Sequence, residues 1–159
     1  MRDRNGDNKM AGKLLVPIDL VQESSWRKAL PQAFALAGAT AADVTIMTVV
    51  PEIMAGLDWR YSIRGETGGS EELKIDDLLQ RARARLQEIG VDYAPEDVEF
   101  DLIARYGTVY EEILNVADEL PATQIVMAAH RPSLSDYLIG PNTARVVRHA
   151  TCSVQVVRD

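Results

Sequence analysis

The sequence predicts an α/β fold, in which a doubly wound parallel sheet of five strands carries helices on both of its faces. Five short segments rich in apolar and β-branched residues alternate with four segments of helical periodicity. Parallel strands are joined by right-handed crossover helices, which cover both faces of a sheet. The chain has 159 residues, of which 47% are hydrophobic, enough for the core of one domain. We therefore expect one domain over residues 13–159, after a polar, disordered extension at residues 1–12.

The first part of this domain reads as a strand, a helix and a second strand. Residues 14–19 form a short, almost wholly apolar run that is typical of a buried strand. Apolar residues then recur at helical spacing from Trp26 onward, and Gly38 is expected to end this helix. Residues 43–51 are rich in β-branched side chains and close at Pro51, which predicts the second strand.

A long loop separates the second strand from the second helix. Residues 52–70 contain four glycines and show no hydrophobic period. A loop of this length in a compact domain is usually a functional lid or a disordered segment. Residues 71–89 are amphipathic and lead into Gly90, which predicts a helix that ends there. Residues 98–103 alternate polar and apolar side chains, as a half-exposed strand does.

The last third of the chain supplies two more helices and two more strands. Residues 108–120 have a core-facing apolar side, and Thr108 with Glu111 three positions later can form a capping box. The fourth strand, the fourth helix and the fifth strand follow, and are expected at residues 124–129, 142–150 and 153–158. The fifth strand is hydrophobic, and as an exposed edge it would invite pairing with a second copy of the chain.

Composition narrows the classes of function. The formal net charge is −7, whereas a surface that binds nucleic acid needs an excess of Lys and Arg along one face, so no nucleic-acid partner is expected. No apolar run has the length of a membrane span, and the polar N-terminus does not resemble a signal region. The one cysteine, Cys152, cannot form an internal disulfide and is interpreted as structural. We expect a soluble, cytoplasmic protein without a membrane partner.

The connection between the fourth strand and the fourth helix is the first candidate for ligand binding. It covers residues 127–143 and has Gly140 at its far end, an arrangement that can hold an anion at a helix N-terminus. Ligands of such sheets bind beyond the C-terminal ends of the strands, where the strand order reverses. Asp19, Val49 and Ala128 stand at strand ends and would face one crevice there.

The residues give no sign of ordinary enzyme chemistry. Residues 20–25 follow the first strand without a glycine for a dinucleotide turn. The sequence has no Walker loop and no carboxylate pair at a metal-binding spacing, and its two histidines make a histidine metal site improbable.

Seven short blocks stand at corresponding points of this pattern. They are LVPID at residues 15–19, VVP at 49–51, YGT at 106–108, AHRP at 129–132, YLIG at 137–140, VVRHA at 146–150 and CSVQVVR at 152–158. Together they resemble the universal stress protein family, and more closely its F/G-type branch, over residues 13–158. The resemblance implies a Rossmann-like sheet of strand order 3-2-1-4-5. It also implies a homodimer paired through the strand at 153–158 and, in many members, ATP in the crevice.

The same resemblance implies which residues would contact the base and the sugar. Asp19 would hydrogen-bond the adenine or ribose edge, with Pro17 and Val49 as apolar walls. Met127 and Ala128 would lie close to the sugar. Asp19 has an equally plausible alternative role, because a carboxylate at a strand end can simply cap the helix that follows.

The resemblance also implies a set of residues around the phosphates of ATP, or of ADP or AMP, with the role of Mg²⁺ left open. The set consists of His130, Arg131, Gly140, Asn142 and Thr143. Arg131 offers the fork geometry that suits a phosphate, but a loop arginine can also turn to solvent. Thr143 can serve a phosphate or cap its own helix.

Three features depart from the family's nucleotide-binding pattern. Ala128 replaces a glycine, and its methyl group intrudes on a close backbone approach. Arg131 replaces a second glycine, and its spacing to Gly140 is one residue shorter, as in the F/G-type branch. Pro141 replaces a serine or threonine and offers neither an N–H nor a hydroxyl. Two lost hydrogen bonds to a charged group would weaken affinity by about one to four orders of magnitude. Pro141 also suits the first turn of a helix.

Three functions therefore stay open from the sequence. The leading one is an ATP-binding, dimeric stress-response module. The second is a nucleotide-free dimeric interaction protein, favoured by Ala128 and Pro141, whose loop at 52–70 could present Trp59 and Tyr61 to an unknown protein partner. The third is at most a slow ATP hydrolase, with Asp19, His130 or Asp136 as the general base.

Overall fold

Strands and helices alternate along the chain in the computed structural model, which describes residues 11–51, 75–129 and 139–158. The strands are β1 (Lys13–Pro17), β2 (Asp43–Pro51), β3 (Asp101–Gly107), β4 (Gln124–Ala128) and β5 (Ser153–Val157). The helices are α1 (Ala29–Thr40), α2 (Ile75–Tyr93), α3 (Val109–Glu119) and α4 (Pro141–His149), and a 3-10 turn covers Glu23–Ser25. The loop predicted at 52–70 and most of the extension predicted at 1–12 lie outside the described residues.

The five strands form one parallel sheet in the order β3-β2-β1-β4-β5. From β1 the chain first builds outward through β2 to β3, and then returns to place β4 on the other side of β1. The strand order therefore reverses between β1 and β4. Both the predicted fold class and the predicted strand order are confirmed.

The two central strands pair over a shorter length than their neighbours do. β1 pairs with β2 along its whole length, from Lys13 to Pro17, and β4 pairs with β5 along its whole length as well. Between the described parts of β1 and β4 the ladder contains only Leu14 opposite Gln124 and Leu15 opposite Ile125. The hydrogen-bonded pairing is thus confined to the N-terminal part of these strands, and Pro17, which has no N–H, cannot continue it.

Two apolar clusters fill the space between the sheet and its helices. Successive side chains of a strand point to opposite faces, so Leu14 and Val16 join the cluster beneath α1 and α2. Leu15 joins a second cluster beneath α3 and α4, which includes Ile113 and Val146. The helices therefore cover both faces, as the sequence predicts. No helix within the described ranges is long and apolar enough to cross a bilayer.

Two predicted helix ends are wrong. α1 continues past Gly38 to Thr40 and ends at Ala41, whose φ of 55° is left-handed. α2 continues past Gly90 to Tyr93. Gly90 lies inside the helix, and Phe100 packs against its backbone. A Cβ atom at this position would come within 2.4 Å of the Phe100 ring. Packing therefore explains this glycine better than helix termination does.

Two other local predictions also need correction. Thr108 precedes α3 at its N-cap position but makes no side-chain capping hydrogen bond, so the capping box is absent. β3 begins at Asp101 and not at Val98. A turn follows α2, and in this turn the Val98 N–H donates to the Pro95 carbonyl. Strand β3 extends instead to Gly107, four residues beyond the predicted end.

Candidate functional site

The pairing of β1 with β4 has an opening at the C-terminal edge of the sheet, beyond Leu15 and Ile125. This is the point where the strand order reverses, and ligands of doubly wound sheets bind there. The segment after β1, the end of β4 and the start of α4 surround the opening. They contain most of the predicted site residues that the structure describes.

Asp19 lies just beyond β1 with an exposed side chain. Its Oδ1 accepts a hydrogen bond of 3.0 Å from the Val21 N–H, so the carboxylate caps a turn and not a helix. The backbone of Asp19 is fixed as well, because its N–H donates to the Ser25 hydroxyl at 2.8 Å and its carbonyl accepts from that hydroxyl at 3.0 Å. Oδ2 makes no hydrogen bond to any described residue. Asp19 can therefore cap its turn and contact a ligand at the same time.

Pro17, Val49 and Met127 lie on one face of the sheet, at the ends of β1, β2 and β4. Val49 and Met127 belong to the cluster beneath α3 and α4 and are 7% and 6% exposed. Pro17 is buried and shares the face of Leu15 by strand alternation. The structure thus brings these three predicted apolar residues together. Because little of each side chain is exposed, these residues can contribute only to the apolar floor of the opening.

The start of α4 lies next to the end of β4. Gly140 is buried at the N-cap position, and Pro141 is the exposed first residue of the helix, where a proline ring suits the backbone. Thr143 is 1% exposed, and its hydroxyl donates to the carbonyl of Ala128 at 3.1 Å. The Thr143 hydroxyl therefore neither caps α4 nor has a proton left for a phosphate.

The backbone of α4 still offers hydrogen-bond donors at the opening. The N–H groups of the first turn of a helix have no acceptor within the helix. Pro141 has no N–H, and the Ala144 N–H already donates to the Gly140 carbonyl at 2.9 Å. Asn142 and Thr143 remain as donors, at the positive end of the helix dipole.

Buried hydroxyl groups hold the backbone around the opening, and sequence analysis did not identify two of them. Thr48 is 1% exposed and donates to the carbonyl of Ile18 at 2.9 Å. Ser25 is buried and bridges the N–H and carbonyl of Asp19. The sequence contained one indication of this role, because each hydroxyl stands within or beside an apolar run. A hydroxyl that is buried there must find a hydrogen-bond partner.

Comparison with known proteins identifies the family. The model of the universal stress protein family matches residues 10–158. The chain belongs to this family. The F/G-type resemblance is supported by universal stress protein G of Shigella flexneri, which is 35% identical over 81 residues. That match covers 51% of this chain and 57% of the relative, so it spans little more than half of the relative's length.

Solved structures of universal stress proteins share the fold. The protein UspA from Lactobacillus plantarum aligns with a TM-score of 0.64 and 22% identity, over 95% of this chain and 100% of that one. A universal stress protein in complex with cAMP aligns with a TM-score of 0.56 and 21% identity, over 93% and 97%. A family protein from Arabidopsis thaliana with AMP bound aligns with 0.58 and 12%, over 92% and 91%. At these identities the likeness concerns the fold.

Several predicted residues of this universal stress protein lie outside the described ranges. They are His130, Arg131, Asp136, Trp59 and Tyr61. Their proposed contacts with phosphate, catalytic water or a partner protein stay predictions. Among the described residues, no group of three or more His, Cys, Asp or Glu side chains is arranged to hold a metal ion.

One basic side chain of α4, that of Arg145, contacts α3 of this universal stress protein. The Arg145 guanidinium lies 4.9 Å from the centroid of the Tyr110 ring on α3. Tyr110 also donates a hydrogen bond to Glu111 at 2.9 Å, and this neighbouring carboxylate raises the pKa of the Tyr110 hydroxyl. Arg148 and His149 occupy the last turn of α4, where cations suit the helix dipole. The contact with Tyr110 favours a structural role for Arg145. The position at the helix C-terminus favours one for Arg148 and His149.

Cys152 packs against the cluster beneath α3 and α4. Burial raises the pKa of its thiol, which disfavours the thiolate. These observations support the structural interpretation of this cysteine.

Proposed function

We propose that this universal stress protein binds an adenine nucleotide between the C-terminal ends of β1 and β4 and acts as a dimeric stress-response module. One observation carries the proposal: the pairing of the central strands ends where the strand order reverses, with the start of α4 beside the opening. Two proteins of similar fold support it, since their structures contain cAMP and AMP. The ligand proposed for this chain is ATP, with ADP and AMP as shorter alternatives.

The geometry gives different parts of the nucleotide different environments. The exposed Asp19 carboxylate suits the amino group of adenine or a ribose hydroxyl, both of which are hydrogen-bond donors. Pro17, Val49 and Met127 supply an apolar floor. A carboxylate would repel phosphates, so the phosphates belong at the other side of the opening, beside the start of α4.

The described residues provide few donors for phosphate. These are the backbone N–H groups of Asn142 and Thr143 and the half-buried Asn142 side chain. This number suits one phosphate group. The second and third phosphates of ATP would need further donors, and His130 and Arg131 are candidates because the family resemblance implies that they lie near the phosphates.

Isothermal titration with ATP, ADP and AMP tests this function directly. We expect saturable binding of at least one of them and an increase in melting temperature with ligand concentration. Absence of both heat and thermal shift at millimolar nucleotide would contradict the proposal. Mass spectrometry of small molecules released from protein purified without added nucleotide identifies the natural ligand.

A nucleotide-free interaction protein of the same fold is the second candidate. It is favoured by the Ala128 methyl group at the mouth of the opening and by Pro141, which removes one backbone donor from α4. Recovery of stoichiometric nucleotide from the purified protein would argue against this alternative.

The proposed dimer is paired through β5, which is one edge of the sheet. Val154 and Val156 are only half-buried there. An apolar edge strand has unpaired backbone groups that a second copy of the same strand can satisfy. A homodimer would cover these groups.

A further inference from the structure

We propose that Thr143 is a positioning residue, whose hydroxyl fixes the start of α4 against the end of β4 and so places the backbone donors of α4 at the ligand. This inference rests on the nucleotide site proposed above. It differs from the family-based expectation that Thr143 itself contacts a phosphate.

The Ala128 carbonyl needs a hydrogen-bond donor because the central ladder ends before it. Successive residues of a strand direct their backbone groups to opposite neighbours. The Ala129 N–H donates to the Val157 carbonyl on β5 at 2.8 Å, so the carbonyl of Ala128 faces the β1 side. The β1–β4 ladder ends at Leu15 and Ile125, three residues earlier. The ladder with β1 thus supplies no hydrogen-bond donor to this carbonyl.

Thr143 supplies the missing donor. Its Oγ1 lies 3.1 Å from the Ala128 oxygen, and the residue is 1% exposed. Thr143 is the third residue of α4, and the N–H donors proposed for phosphate belong to Asn142 and to Thr143 itself. The hydrogen bond therefore links the positions of these donors directly to the end of β4.

The hydroxyl cannot perform both tasks. A threonine hydroxyl has one proton, and this proton is used on the Ala128 carbonyl. Phosphate oxygens are acceptors and would need the same proton. Thr143 accordingly acts on the ligand through the backbone that it holds in place.

Thr123 offers a control at the opposite, N-terminal end of the central strands. Its hydroxyl donates to the carbonyl of Lys13 at 3.1 Å, as that of Thr143 does to Ala128, and it also accepts from the N–H of Lys13 at 3.0 Å. Thr123 precedes β4, whereas the proposed site lies beyond the C-terminal end of β4. We expect loss of these two bonds to affect the stability of the fold without affecting the proposed site.

The test compares AMP binding to the wild type, Thr143→Val, Thr143→Ser and Thr123→Val by isothermal titration calorimetry. Valine has the shape of threonine without the donor, and we expect it to weaken AMP binding about tenfold at position 143. Thr143→Ser keeps the hydroxyl and Thr123→Val removes only the two remote hydrogen bonds with Lys13, so both should bind AMP nearly as the wild type does. Amide exchange in residues 140–146 of the ligand-free protein should be faster in Thr143→Val alone.

Each outcome has a distinct meaning. Equal AMP affinity and equal exchange in the wild type and Thr143→Val would overturn the inference, as would failure of Thr143→Ser to restore binding. If Thr143→Val does not fold, Thr143→Ala lacks the same donor and replaces it in the comparison. A wild-type protein that binds neither AMP nor ATP would contradict the proposed function itself.

Discussion

Pro141 and Thr143 together determine what the start of α4 offers to an anion. Pro141 has no N–H, and the proton of the Thr143 hydroxyl is donated to the Ala128 carbonyl. The first turn of α4 is left with two backbone donors, at Asn142 and Thr143. At the other side of the opening, one carboxylate oxygen of Asp19 accepts a hydrogen bond within a local turn, and the side chain is exposed to solvent. Substitutions at Pro141 and Asp19 therefore test the phosphate and base ends of the proposed site separately.

Substitution of Pro141 should strengthen nucleotide binding. Pro141→Ala restores one backbone N–H, and Pro141→Ser restores the N–H and adds a hydroxyl. A hydrogen bond to a charged group contributes about 1.5–3 kcal/mol, so we expect at least about tenfold tighter AMP binding in Pro141→Ala and a larger gain in Pro141→Ser. Titration calorimetry measures both gains. Unchanged affinity in both variants would show that no phosphate lies at this position.

Asp19→Asn separates ligand binding from turn capping. The asparagine oxygen can still accept the Val21 N–H, so thermal stability should stay close to that of the wild type. Loss of the charge should weaken nucleotide binding about tenfold if Asp19 contacts the base or ribose. Asp19→Ala should show the same loss of affinity and in addition lose about 1 kcal/mol of unfolding free energy. An Asp19→Asn variant with wild-type affinity would limit Asp19 to its turn.

At the scale of elements, the helices are positioned by contacts that their own sequences do not specify. α1 and α2 both contain a glycine near their C-terminal ends, but the two glycines differ in surroundings. Gly38 is exposed, and a Cβ atom there would meet nothing within 4 Å. Gly90 is buried against Phe100, whose ring packs edge-on against Phe34 at a centroid distance of 6.1 Å. The second glycine is needed for packing between α2 and the segment before β3.

Gly90→Ala and Gly38→Ala should therefore change stability in opposite directions. The new Cβ atom at position 90 would lie 2.4 Å and 2.6 Å from ring atoms of Phe100, and overpacking of this kind costs about 1–3 kcal/mol. Gly38→Ala should gain about 0.5–1 kcal/mol, because alanine is the better helix former. Urea unfolding measures both changes. Equal stability of the two variants would contradict the assigned role of Gly90.

At the scale of the whole molecule, the sheet has one apolar edge at β5. The carbonyl of Val157 accepts from Ala129 on β4, so by alternation the backbone groups of Val154 and Val156 point away from the sheet. An antiparallel pairing of two β5 strands centred on Gln155 would place Val154 opposite Val156 of the second copy. The Gln155 side chain is already held, since it accepts from Gln124 at 3.1 Å and donates to Gln32 at 2.7 Å.

Val154→Asp should prevent the proposed dimer. Pairing of the two β5 strands would remove one aspartate carboxylate of each copy from water, which is unfavourable. Light scattering at micromolar concentration should give twice the chain mass of 17.6 kDa for the wild type and the single mass for Val154→Asp. Val91→Asp is the matched control, because Val91 is 60% exposed on α2. A monomeric wild type, or a dimeric Val154→Asp variant with native helix content, would contradict pairing through β5.

Much of the fold followed from the sequence because hydrophobic periodicity reports directly on burial. The run from Leu14 to Ile18 and the β-branched segment ending at Pro51 predicted buried parallel strands, and the structure contains both. Characteristic blocks of residues also identified the family, and through it the strand order. The helix ends at Gly38 and Gly90 were predicted wrongly, because a glycine inside a helix and one after a helix look alike along the chain.

The sequence alone determined the fold class, the family and the chain segments that face the opening. It could not determine the use of individual polar groups, because these hydrogen bonds join residues far apart along the chain. Thr143 and Ala128 are fifteen positions apart, and Thr48 and Ile18 are thirty. Only the tertiary structure shows that the pairing of the central strands ends early, and that the Thr143 hydroxyl, expected to bind a phosphate or cap its helix, instead satisfies a backbone carbonyl left without a strand partner.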